Sequence, residues 1–230
     1  MPEVLAAGFT HRDPGAPGRG FAGGGVLDGL APGPVLAGFT ADATAGGFGR
    51  LSDDELIGVL CARRRLASWA AAGEVDVVGE LARRRTVQAK ARKNPRLLEH
   101  IGDELAAALT LTGRSADRLL GLSAELERLS GCRAALAAGR IEWPKAVVFA
   151  DELAALDNAA AAAIEALILP GAGKMTTAQL RAALRRAVLA ADRKPPSGAA
   201  ARPGRTPGCR PGTSRPATAR WPAGTCPPPR

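Results

Sequence analysis

Histidine occurs only twice in this chain, at His11 and His100. Metal-assisted cleavage of a phosphodiester needs several ligands for the ion and a base for the attacking water. Two isolated histidines supply neither set, and His100, beside Glu99 and Asp103, reads as an ordinary surface residue of a helix. Paired cysteines are also missing. Cys61, Cys132, Cys209 and Cys226 match no zinc spacing and no disulfide framework, which fits a reducing, cytoplasmic setting. Cys61 and Cys132 fall in helical stretches and are expected as small core or half-buried residues. No Gly-x-Ser-x-Gly elbow is present. The sequence therefore predicts no catalytic residue, no metal site and no small-molecule cofactor, and so no enzyme.

Long apolar runs are lacking too. The alanine-rich stretch 159–169 is too short to span a bilayer and carries Glu165, so no membrane partner is expected. The opening MPEVLAAGFTHRDPG has no basic region followed by an apolar one, and no signal peptide is indicated.

What is present is unevenly spread. Residues 1–50 hold thirteen glycines and little apolar periodicity, and read as a flexible, disordered leader. Residues 192–230 contain no Leu, Ile, Val, Phe or Met but ten of the eighteen prolines, and read as a disordered tail. Only residues 51–191, rich in Ala, Leu and Arg, can bury a core; a block of that size hides roughly two thirds of its unfolded surface. The formal charge of +9 divides in the same way. Residues 1–191 carry 23 basic and 21 acidic side chains, a net +2, whereas the tail sets eight basic residues against Asp192 alone, a net +7. The high pI thus belongs mostly to the tail.

The middle block reads as an all-α domain of about eight helices. Ser52-Asp53-Asp54-Glu55 is a capping box that opens the first, with Leu56, Val59, Ala62, Leu66 and Trp69 on one face and Gly73 as its stop. Arg63-Arg64-Arg65 is expected on a solvated face. A second helix is predicted over 75–92, with Val78, Leu81 and Ala82 inward, broken by Asn94-Pro95. Further helices are predicted over 96–109, 114–129 and 132–138, then from Pro144, over 158–168 and from Thr176 to 191. Leu119, Leu122, Leu126 and Leu129 mark one buried stripe, and Val147, Ala150 and Leu153 another. Ile164, Leu167 and Ile168 are the expected apolar payload of helix 158–168, which Pro170 to Gly173 should end. Thr176 to Gln179 offers a second capping box, followed by Leu180, Leu184 and Val188.

One cluster invites a binding role. Arg83, Arg84, Arg85, Lys90, Arg92, Lys93 and Arg96 follow one another with no acid between Glu80 and Glu99. Guanidinium and ammonium groups so gathered suit phosphate oxygens, and counterion release would favour DNA. Cations near a helix C-terminus are also favoured by its dipole, so a solvated helix end is the other reading. A helix pair joined at Thr112-Gly113 resembles a DNA-reading helix-turn-helix, with Arg114, Ser115 and Arg118 opening the second helix. Two look-alikes are set aside. Gly18, Gly20 and Gly23 spell GxGxxG without the strand and helix that a dinucleotide site needs, and Gly173-Lys174 lacks the first glycine and the Ser/Thr of a P-loop.

The wording LSDDELIGVL, RRLASWAAAGE, ELARRR, EHIGDELAAALTLTGRSADRLL, RAALAAGRIEWPKAVVFADELAAL and LPGAGKMTTAQLRAALRRAVLAAD resembles one family over about residues 51–191. That family is domain of unknown function 222, also called the 13E12-repeat family, of actinobacterial proteins. The resemblance implies a helical domain that precedes an HNH endonuclease domain and has no catalytic or agreed binding residues of its own. The chain departs from the family pattern after Asp192. If Arg220 to Pro227 use codons ending in G or C, a shifted frame spells Leu-Ala-Gly-Arg-Asp-Leu-Pro, close to the family's own continuation. A tail read out of frame, with the nuclease half lost, is therefore expected; a natural basic linker is the plainer reading. The functions that follow are a non-catalytic module aiding DNA engagement, a protein-interaction module acting through self-association, or a truncated inactive nuclease remnant.

Overall fold

The computed structural model describes residues 20–94, 98 and 100–192, and every regular element among them is helical. In order these are α1 (Pro34–Ala45), a short 3-10 turn (Phe48–Arg50), α2 (Asp53–Arg92), α3 (Ile101–Leu109) and α4 (Gly113–Arg128). α5 (Ser130–Ala137), α6 (Trp143–Leu153), α7 (Asn158–Ala172) and α8 (Thr177–Asp192) follow. The class is all-α with eight α-helices among the described residues, the expected number by a different membership. None of these helices is long and apolar enough to cross a membrane.

Two expected helices are one. α2 runs for 40 residues, about 60 Å, straight through Gly73. A glycine inside a helix costs only about 1 kcal/mol relative to alanine. Here Ala72 and Val75 on either side of it are buried in the main core, and that packing outweighs the cost. The helix instead ends at Lys93, whose left-handed backbone (φ 49°) turns the chain so that the Asn94 N–H reaches the Ala89 carbonyl at 3.0 Å.

Within the segment expected as a flexible leader, residues 20–50 pack on α2 and supply the extra helix, α1; residues 1–19 lie outside the described residues. Phe21, Leu27 and Leu36 are buried against Val59 and Ala62 of α2. Gly58 makes that contact possible, since a Cβ there would overlap the carbonyl of Phe21. The arginine run beside it is not simply solvated. Arg65 donates to the carbonyls of Leu27 (3.1 Å) and Asp28, Arg63 to the Thr44 hydroxyl (3.0 Å), and Arg64 pairs with Glu142 (3.0 Å).

α2 therefore has two working faces. At about 100° per residue, Val59, Ala62 and Leu66 lie on nearly the opposite side from Ala72, Val75 and Val78. The first set meets the α1 segment, and the second meets α4 and α5. Each half leaves uncovered the side that the other half buries. Ile57 and Leu60 are exposed in the first half and Val77 (71 %) in the second. Trp69, expected inward, falls where the two faces exchange and is 39 % exposed.

The main core lies among α4 to α8. Leu126, Leu129, Cys132, Leu136, Phe149, Leu153, Leu180 and Leu184 are fully buried there. Cys132 is a core residue as expected, whereas Cys61 is exposed. α7 continues through Pro170 to Ala172 instead of stopping before it. A proline in the last turn removes one intrahelical donor, and the carbonyls of Gly171 and Ala172 are taken by the amides of Lys174 and Met175. Leu167, expected in the core, is 72 % exposed; the buried positions of α7 are Ala161, Ile164, Glu165 and Ala172.

Candidate nucleic-acid interface

α2 carries Arg83, Arg84, Arg85, Lys90 and Arg92 of the predicted phosphate-binding residues, and Lys93 caps its end; the seventh, Arg96, lies outside the described residues. A regular helix places Arg83 and Lys90 near one line, with Arg84, Arg85 and Arg92 well round from it. The cations are thus spread about the helix and do not converge on one face.

Three of them are engaged within the molecule. Arg83 and Arg84 both pair with Glu80, each through Nε at 2.7 Å. The Arg83 hydrogen bond first, and the Arg84 one next, hold the Glu80 carboxyl down to about 2. Arg85 reaches across to α3, where its Nη2 and Nε meet the two oxygens of Glu104 at 2.5 and 3.0 Å. That fork lowers the Glu104 carboxyl and raises the Arg85 guanidinium. Arg85 is a clasp between two helices.

Arg83 also borders a cleft of about 220 Å³ between α2, α4 and α5. Asp76, Glu80 and Glu127 line it against Arg83 and Arg133, and Arg133 is itself bound to Asp76 at 2.6 Å. Carboxylates outnumber guanidinium groups there, so the cleft disfavours an anion. Lys90, Arg92 and Lys93 differ. All three are exposed in the last turn of α2 or just past it, with no carboxylate partner among the described residues.

The helix-turn-helix candidate comes out as α3 and α4 joined by Thr110 to Thr112, with Thr110 left-handed (φ 55°). Ser115 is occupied in capping: its N–H donates to Thr112 Oγ1 at 3.2 Å. Arg118 leans toward Asp151 of α6 at 3.4 Å. Its guanidinium therefore faces a neighbouring helix. Arg114 is exposed.

Several polar residues that position these helices were not foreseen. Glu165 of α7 is buried and accepts the Cys132 N–H at 2.6 Å, closing the start of α5. Burial first, and the Glu165 charge next, push the Cys132 thiol far above the ordinary range, so it is an inert core group. Arg128 donates to the carbonyls of Leu153 (2.9 Å) and Leu156 (2.7 Å) and holds the end of α6. Glu152 receives both Arg181 (3.2 Å) and Arg185 (2.9 Å). Single charged letters within apolar stretches, as at Glu165, are the signal that could have flagged them.

No group of three or more His, Cys, Asp or Glu among the described residues is gathered to hold a metal ion. Among the described residues, His100 makes an exposed 3.4 Å contact with Asp103. No family model matches the chain, and neither curated proteins nor solved structures give a match.

Proposed function

We propose that the helical body is a non-catalytic module that helps engage the DNA backbone, working beside a nuclease domain of the kind the family resemblance implies. The observation that supports it is the set of exposed cations at the far end of α2 with no carboxylate partner among the described residues: Lys90, Arg92 and Lys93. The contact area is narrower than the seven residues of the sequence reading, because Arg83, Arg84 and Arg85 already have carboxylate partners. Such a contact reads phosphate and not base sequence.

The test is a salt series on the full chain with a short duplex, read by fluorescence anisotropy. Changing Lys90, Arg92 and Lys93 together to Gln weakens binding and flattens the dependence of log K on log salt by roughly 2.7, about 0.9 for each phosphate no longer neutralised. The basic tail is common to both proteins and cancels in the comparison. Coincident salt lines reject the reading, and DNA cleavage by the purified chain with magnesium or zinc rejects its non-catalytic part.

Self-association is the second reading, favoured by the two uncovered apolar strips of α2 at Ile57–Leu60 and Trp69–Val77. It requires a mass that rises with protein concentration whether or not DNA is present.

A further inference from the structure

A second cleft, of about 380 Å³, lies between α4, α6 and α8. It is the wider and more open of the two clefts. The lining sets Trp143 and Val147 beside two cations, Arg118 and Arg181, which outnumber its one carboxylate, Asp151; the Thr177 hydroxyl stands at the start of α8.

Trp143 is half-buried, opens α6 immediately before Pro144, and packs against two buried clusters. An indole fixed in this way can stack on a base with little loss of conformational freedom. The two arginines are lightly held. Arg118 touches Asp151 through one nitrogen at 3.4 Å, the long end of hydrogen bonding, with both side chains well exposed. Arg181 meets Glu152 through Nε alone, leaving its terminal nitrogens without a partner among the described residues. One turn along α4 stands the exposed Arg114, which extends the positive field, whereas Arg185 on α8 is taken up by Glu152.

We propose that this cleft binds a nucleotide, with Trp143 stacked on the base and Arg118 and Arg181 on the phosphate. A free nucleoside monophosphate and one unpaired residue of a single strand present the same base and phosphate, so both are possible sources. A base inside a duplex is already stacked and does not enter. No lining residue belongs to α2, so the site stands or falls independently of phosphate contacts made there.

The experiment follows the Trp143 indole N–H by NMR in the full chain, assigned through Trp143→Phe. Adenosine 5′-monophosphate is expected to shift it saturably. Ribose 5-phosphate, which lacks the base, is expected to bind about tenfold more weakly. A shift with the monophosphate alone identifies the free nucleotide as the source, and a shift with single-stranded oligodeoxyadenosine alone identifies the strand; both together mean the site takes either. Trp143→Leu should weaken binding about tenfold. Arg118→Gln, whose exposed pair contributes little to the fold, should weaken it several-fold. A silent indole with both ligands overturns the proposal. So does a ribose 5-phosphate affinity equal to that of the nucleotide, or an Arg118→Gln protein that binds as well as the parent. The Lys90, Arg92 and Lys93 variant should retain the indole shift, which separates failure here from failure of the duplex reading.

Discussion

The backbone N–H of Cys132 donates to Oε1 of Glu165 at 2.6 Å across 33 residues of chain. α5 has no side-chain cap of its own, and a carboxylate from α7 takes that place. Helix N-termini favour negative charge, and the bond is buried, so water cannot replace it.

Glu165→Ala leaves that amide without an acceptor. A loss of about 2 kcal/mol is expected, and a smaller loss for Glu165→Gln, which keeps an acceptor but not the charge. Urea unfolding measures both. Two variants within a few tenths of a kcal/mol of the parent would show that the buried bond is not needed.

Glycine to alanine should act with opposite sign at two places on one helix. At Gly73 an added Cβ meets nothing, and Gly73→Ala should stabilise by about 1 kcal/mol. At Gly58 it meets the Phe21 carbonyl, so Gly58→Ala should detach the segment carrying Phe21 and Leu27, at a cost on the order of 2 kcal/mol. Hydrogen exchange over residues 20–30 distinguishes the two, and equal protection in both variants contradicts the contact.

Arg85→Gln opens the clasp on Glu104 and should speed amide exchange along α3 while leaving duplex affinity unchanged. Weaker DNA binding with α3 still protected would return Arg85 to the phosphate-binding set.

Acid should act through Glu80 and Glu104. Their carboxyls are lowered in the folded state, Glu80 from 4.5 to about 2. The Glu80 contribution is whole above about pH 4.5 and is lost as pH falls toward 2, because the unfolded chain takes up the proton first, and that of Glu104 is lost in the same direction. Tm plotted against pH should therefore fall less steeply over that window in Glu80→Gln than in the parent. Parallel curves refute the assignment.

Local signals were legible as written. Ser52 and Glu55 form the expected capping box, and Thr176 with Gln179 forms the second. Leu119, Leu122, Leu126 and Leu129 are all buried at the expected spacing. The order in residues 20–50 was hidden because Phe21 and Leu27 follow no helical period and reach the core through turns, and α1 buries only Leu36 and Thr40. Gly73 misled because a stop signal one residue long competes with packing on both sides of it. In the candidate interface, the cations could be counted, but Glu104 lies nineteen residues from Arg85 and in another helix.

The amino-acid order alone determined the helical class and where α2, α4 and α8 begin, since caps and apolar stripes act within a turn or two of the chain. Tertiary packing decided which side of α2 is covered, which arginines are already paired and that Trp143 and Arg118 border one cleft. Those outcomes depend on distances between helices, and such distances exist only once the core has closed.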